Sequence, residues 1–300
     1  MSLQAPYNAT VDCPPTLTDR QVVDFCRNGF LILPGVVPEE INCRVVDYLD
    51  TVDDSYEPTR IMEHEWFVEG VLKNPQAAGA VRSLLGRDFT LPVVISNHRG
   101  SLPWPHAQSW HRDGGSLYTP RLDYLQVFYW PEACTDDMGP TEVLPGSHFL
   151  RTKAPLMAHY GKIAGTVSCV GPAGTVFLTV YSIWHRRARA TSSPRGHGGF
   201  RNLLKYNYWR TSAPCRDWLV EPDMDFNLLN FDPPQPFAFE QFQGGIAAAK
   251  MFCWLCGIEA EYTFQGGQCW PVVPTVRDGA HQMGLPPTLS RVQDADGSRA

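Results

Sequence analysis

The sequence lacks the features of a membrane protein, a nucleic-acid binder or a disulfide-stapled secreted domain. No run approaches the roughly 20 apolar residues that a membrane-spanning helix needs. The longest candidate, Ile246 to Ile258, is short and contains Lys250. Basic residues are in deficit, 25 Lys and Arg against 31 Asp and Glu, for a net charge of −6. A general nucleic-acid binder needs a basic footprint, so that class is excluded. The nine cysteines are an odd number without framework spacing, which suits a reducing compartment. The one CxxC, Cys253 to Cys256, has no second pair at zinc-site spacing. It lies in a hydrophobic, helix-like segment and reads as core packing. No basic start followed by an apolar core marks a secretory signal, so a cytoplasmic location is expected. The sequon Asn8-Ala9-Thr10 is then expected to be inert.

What is abundant points to β-structure. Aromatic residues make up 12% of the 300 residues, with 26 prolines and 25 glycines, more than a helical bundle would carry. This length suits one domain with a large core. Residues 1–16 are polar and Pro-punctuated, without periodicity, and read as a loose leader. Thr18 with Gln21 forms a capping-box pattern that opens a helix burying Val22, Val23, Phe25 and Cys26, and Gly29 is placed to stop it. Phe30 to Leu33 reads as a strand. Pro38, Glu39 and Glu40 start a second helix with an apolar stripe of Ile41, Val45, Tyr48, Leu49 and Val52. A third helix is expected over Ala77 to Leu85.

From Phe89 the rhythm changes to short strands between Gly/Pro-rich turns. They are expected over Leu91–Asn97, Ala107–Asp113, Tyr124–Trp130, Thr141–Leu144, Gly165–Val170, Thr175–Trp184 and Arg201–Tyr208. Strands in series without intervening helices indicate an antiparallel sandwich or jelly roll. Phe239 to Ile258 reads as a helix, and residues 286–300 as a flexible tail. The domain is thus expected to span 17–285.

The chemistry concentrates at Trp110 to Gly115. His111 and Asp113 sit two apart, which puts both side chains on one face of an extended strand. His185 follows the apolar run from Gly174 to Trp184. Two imidazoles and one carboxylate are the set that leaves half of an octahedral iron(II) open. Arg201 lies on a later strand, and its planar guanidinium can grip a carboxylate with two parallel hydrogen bonds. His98 and His106 lie near the HxD pair but are ordinary candidates for structural roles.

These residues resemble the phytanoyl-CoA dioxygenase family of iron(II)/2-oxoglutarate oxygenases. The likeness runs from Leu17 to about Trp209. It rests on the opening helix and strand, on His111 and Asp113, on the Met138 to His148 turn-and-strand signature, on His185, and on Phe200-Arg201. The resemblance implies a double-stranded β-helix, a cupin-like jelly roll flanked by N-terminal helices. It implies iron(II) at His111, Asp113 and His185, 2-oxoglutarate as co-substrate with its far carboxylate on Arg201, and O2 as oxidant. Asn97 would face the other end of the co-substrate. Phe128 and Tyr129 are candidates for a pocket wall, although such residues are more often plain core. His148 would fix its turn rather than bind metal. The halogenating relatives lack the carboxylate, so Asp113 favours hydroxylation of a small molecule with release of succinate and CO2. Desaturation, epoxidation and rearrangement use the same ligands.

Two features depart from the family pattern. The link from His185 to Arg201 is long, and Arg187 stands where many members have a small hydroxyl residue. The arginines of this link, with Trp104, Trp110 and Tyr118, suggest an anionic or aromatic substrate. The rival readings are a non-catalytic jelly-roll binding protein and a cupin-type hydrolase or isomerase. Neither needs the carboxylate clamp that Arg201 offers. Oligomeric state is not legible in the sequence.

Overall fold

The computed structural model describes residues 9–51, 59–101, 103–115, 119–150, 154–192, 199–222, 224, 238–258, 263–265 and 270–272. In chain order the strands are β1 (Thr10–Val11), β2 (Phe30–Leu33), β3 (Phe89–Thr90), β4 (Ile95–Asn97), β5 (Gly100–Ser101), β6 (Tyr124–Trp130) and β7 (Thr141–Val143). They continue with β8 (Val167–Cys169), β9 (Thr175–Thr179), β10 (His185–Arg187), β11 (Phe200–Arg201), β12 (Leu204–Trp209), β13 (Thr263–Gln265) and β14 (Trp270–Val272). The α-helices are α1 (Asp19–Asn28), α2 (Glu39–Thr51), the short α3 (Glu65–Phe67), α4 (Pro75–Leu85), the short α5 (Ala154–Met157) and α6 (Ala238–Leu255). No described helix is long and apolar enough to cross a membrane.

The large sheet has the order β1-β3-β12-β6-β9-β2, with β4 also paired to β12. A second sheet runs β10-β7-β8, and β5 pairs with β11. Every pairing between these strands is antiparallel. This is the expected jelly roll with N-terminal helices.

Period-two alternation gives the large sheet two packed faces. Leu125, Val127 and Tyr129 of β6, Val176 and Leu178 of β9, and Leu204, Tyr206 and Tyr208 of β12 join the helices in the main core. Phe128, Trp130 and Phe177 turn the other way and pack with Val143, Cys169 and Ile183 in a second core between the sheets. Each such side chain, fully buried, contributes roughly 1.5–3 kcal/mol. On β12 the alternation sends Lys205 to the inner face, in register with Phe128.

Helix α1 begins and ends as its sequence dictates. Thr18 and Gln21 form the capping box, and Gly29 closes the helix at φ 82 with its N–H on the Phe25 carbonyl. A Cβ at position 29 would come within 2.4 Å of the His148 ring. His148 is fully buried, with Nε2 3.1 Å from the Cys26 carbonyl oxygen. Burial drives its pKa down to about 3, so the ring is neutral and donates to that carbonyl. Near the other end of the chain, Phe252 of α6 packs against Trp218, and Cys253 and Cys256 are buried in the core.

Four expectations change. Residues 9–16 are not loose: β1 pairs with β3, and the Thr16 and Leu17 amides both donate to Ser83 Oγ. These partners lie far along the chain, so the leader's own sequence does not reveal them. Helix α4 starts at Pro75, because Asn74 caps it by accepting from the Gln76 and Ala77 amides. The run expected over Thr175 to Trp184 is broken. Strand β9 stops at Thr179, and β10 begins at His185 in the other sheet. The turn is held by tertiary bonds, from Ser182 Oγ to the His148 carbonyl and from the Trp184 amide to Ser147 Oγ. Finally, Ala107 to Asp113 is no regular strand. It runs beside 185–190 through sparse contacts at Trp104–Ala190, Gln108–Arg187 and His111–His185. The expected tail at 286–300 lies outside the described residues.

The α1–β2 junction yields a stability prediction. Gly29→Ala places an L side chain at positive φ, costing about 1 kcal/mol, and drives its methyl into the His148 ring. The expected loss is roughly 2–4 kcal/mol, read as a shift in denaturant midpoint. An unchanged midpoint would show that this junction does not need glycine.

Candidate active site

His111 and His185 are joined by reciprocal backbone hydrogen bonds, N–H to carbonyl at 3.0 Å in each direction. That bridge brings two positions 74 residues apart to a ring-centroid separation of 4.5 Å. Asp113 follows His111 on a short 3-10 turn, where Gly114 takes φ 59. His111 Nε2 is 3.9 Å from Asp113 Oδ1, and His185 Nε2 is 3.7 Å from Asp113 Oδ2. One ligand atom from each residue lies within 4.8 Å of the others, a cluster that could hold a metal ion.

The chemistry of the donors fits a metal. Nδ1 of His111 lies 2.9 Å from the Ser109 carbonyl oxygen, and Nδ1 of His185 lies 3.1 Å from that of Ile183. A carbonyl can only accept, so each Nδ1 carries the proton and each Nε2 keeps its lone pair. Burial lowers the His185 pKa to about 4, partly offset by Asp113, which leaves the imidazole neutral at physiological pH.

Arg201 has the environment of an anion holder. It is 3% exposed, and its guanidinium carbon lies 4.5 Å from the Trp104 ring centroid and 4.8 Å from that of Trp130. Its Nη1 donates to the carbonyls of Met138 and Gly139, while Nε has no partner among the described residues. No described carboxylate pairs with it. Burial lowers its pKa to about 10, so it stays charged at neutral pH. Arg201, the three clustered residues and Phe128 all line one cavity of about 280 Å³.

Residues 51–196 match the family model of phytanoyl-CoA dioxygenase (PhyH). Over those 146 of its 300 residues the chain is similar to this family. It is accordingly an iron(II)- and 2-oxoglutarate-dependent dioxygenase. The matched stretch contains His111, Asp113 and His185, and Arg201 lies just beyond it. No curated relative matches the chain by sequence. Solved structures share the fold at low identity. Apo HygX from Streptomyces hygroscopicus is 17% identical with TM-score 0.52, covering 66% of this chain and 88% of its own. HygX with nickel and 2-oxoglutarate bound gives 17% and 0.50, covering 65% and 88%. The apo non-heme monooxygenase ThoJ gives 17% and 0.50, covering 76% and 96%.

In this dioxygenase the sequence-expected residues are not all in the cavity. Asn97 is absent from its lining. Its Nδ2 donates to Asn202 Oδ1, and its Oδ1 accepts from the Leu203 amide, so it fastens β4 to the start of β12 rather than facing a ligand. Tyr129 is also elsewhere: it lies in the main core, donating to Asn42. His106 is exposed, whereas His98 lines the cavity. Tyr118 lies outside the described residues.

Two residues were missed from sequence. Gln126 Nε2 and Lys205 Nζ, the latter at 3.2 Å, both donate to Asp113 Oδ2. The signal for Lys205 was present: Leu204, Tyr206 and Tyr208 claim one face of β12, which leaves the lysine facing the barrel interior.

Burial alone would raise the Asp113 carboxyl pKa. His185, Lys205 and the Gln126 hydrogen bond outweigh it and leave the carboxyl below its usual range. The depressed value means that Asp113 stabilises the fold above the unfolded carboxyl pKa of about 3.9, and that this contribution is lost as pH falls further. Lys205→Met is expected to raise the Asp113 pKa, measured by carbon NMR titration of the metal-free protein. An unmoved titration would place the ammonium elsewhere in solution.

Proposed function

We propose that His111, Asp113 and His185 hold the iron(II), that Arg201 anchors the far carboxylate of 2-oxoglutarate, and that the enzyme hydroxylates a small molecule. The net reaction converts a substrate C–H, O2 and 2-oxoglutarate into the alcohol, succinate and CO2. The observation that carries this reading is the buried guanidinium of Arg201, without a carboxylate partner among the described residues, lining the same cavity as the triad. Neither a passive binding jelly roll nor a hydrolytic cupin has use for it.

When bound, ferrous iron and 2-oxoglutarate together supply the oxidising chemistry, which is the cofactors' own. The chain's residues supply position and field. The two Nδ1 hydrogen bonds fix the imidazole planes and leave Nε2 as the donor atom of each ring. Gln126 and Lys205 hold Asp113 Oδ2 from the sheet side, restricting how the carboxylate can turn. Trp104 and Trp130 flank the Arg201 guanidinium, which can offer a carboxylate parallel donors. Phe128, stacked on Phe177 with ring centroids 4.5 Å apart, gives the cavity an apolar wall that excludes water. We read the chain from 9 to 285 as the catalytic domain, because β1 joins the large sheet.

Anaerobic addition of iron(II) and 2-oxoglutarate is expected to produce the weak visible charge-transfer band of the chelate. Asp113→Ala and His185→Ala should abolish it. Arg201→Met should retain metal binding but need about 30- to 100-fold more 2-oxoglutarate, the worth of a charge-assisted bidentate contact. A band that persists in Asp113→Ala and ignores Arg201→Met would refute the assignment.

A further inference from the structure

Five side chains with full positive charge line the cavity: Arg99, Arg186, Arg187, Arg201 and Lys205. Three have carboxylate partners. Arg99 pairs with Asp50 at 2.9 Å, Arg186 with Glu142 at 2.6 Å, and Lys205 with Asp113 at 3.2 Å. Arg187 and Arg201 have none among the described residues. Arg187 Nη1 reaches only the neighbouring Ala188 carbonyl, at a long 3.4 Å. Both guanidiniums lie against the same indole, Arg187 at 4.2 Å and Arg201 at 4.5 Å from the Trp104 ring centroid.

Trp104 is held rigidly in that place. Its amide and carbonyl exchange hydrogen bonds with Ala190 at 3.0 and 2.9 Å. Its ring crosses Gly100 so closely that a Cβ there would fall 1.9 Å from Cζ2. The arrangement is therefore a built feature of the wall, with two cations fixed on one aromatic platform.

Seated 2-oxoglutarate brings two carboxylates. On the reading above, one goes to the metal and the other to Arg201. Arg187 is left with its charge uncompensated in a partly desolvated cavity, which favours a further anion. The remaining space is limited, because about 280 Å³ is below the usual range of roughly 300–1,000 Å³ for ligand pockets.

We propose that the substrate is a small organic acid whose carboxylate pairs with Arg187 while its body lies against Trp104. This inference rests on the assignment of 2-oxoglutarate to the metal and Arg201. Arg187 is then a specificity-determining residue that selects acids over their uncharged analogues.

The test uses calorimetry on the full chain loaded with nickel(II) and titrated first with 2-oxoglutarate. Benzoate, hexanoate, their amides and inorganic phosphate are then titrated into the saturated complex. At least one carboxylate should bind while its amide does not. Arg187→Met should weaken that acid by about tenfold or more, the scale of a lost charge-assisted bond, and shift 2-oxoglutarate affinity by no more than about twofold. Arg187→Lys should recover part of the loss, which separates charge pairing from a folding defect.

The inference is overturned if neither acid binds, if acid and amide bind alike, or if phosphate binds in place of the carboxylates. It is equally overturned if Arg187→Met weakens 2-oxoglutarate as much as Arg201→Met does, since both guanidiniums would then serve the co-substrate. Failure of the wild type to bind 2-oxoglutarate at all would instead bring down the underlying assignment, at the first titration.

Discussion

The site depends on the pair of backbone hydrogen bonds that tie His111 to His185. Neither residue sits in a long ladder. The first lies on a loosely paired segment and the second opens a three-residue strand. The reciprocal bond makes their side chains neighbours on one face, as in any narrow antiparallel pair. Asp113, two residues on, joins the same cluster from the short 3-10 turn that follows. Without the bridge the three donors would belong to two independent loops, and ordering them would fall to the metal alone.

Around that bridge, the large sheet divides its work between its faces. One face is spent on the helices, through Tyr129, Tyr206, Tyr208 and their aliphatic neighbours. The other carries Gln126, Phe128 and Lys205 toward the cavity. A one-residue slip of β12 would bury Lys205 in the main core and turn Tyr206 into the site. Register is therefore fixed by the hydrophobic core as much as by the ladder, and the polar face inherits its precision from the apolar one.

Much of this was legible in the residues. Thr18, Gln21 and Gly29 announce α1 because helix capping is local chemistry. The strands at Tyr124–Trp130 and Thr141–Val143 are legible because alternation and turn residues mark them. His111, Asp113, His185 and Arg201 stand out because few residue types can ligate a metal or clamp a carboxylate. The misses share one cause, long-range contact. The turn after Thr179 contains neither glycine nor proline at Tyr181 and Ser182, and it exists because Ser147 and His148 hold it from a distance. Asn97 was assigned by position in the chain, but Asn202 and Leu203 arrive from about 105 residues away to take its amide. Strand β1 likewise becomes a strand only because Phe89 and Thr90 are there to meet it.

The indole of Trp104 has a consequence for the thermodynamics of recognition. Long arginine side chains ordinarily lose rotamer freedom when they close on an anion, which subtracts from affinity. Here Arg201 is already wedged between two indoles, and Arg187 rests on one of them. Their mobility was surrendered when the chain folded, so the enthalpy of pairing reaches the ligand largely undiminished.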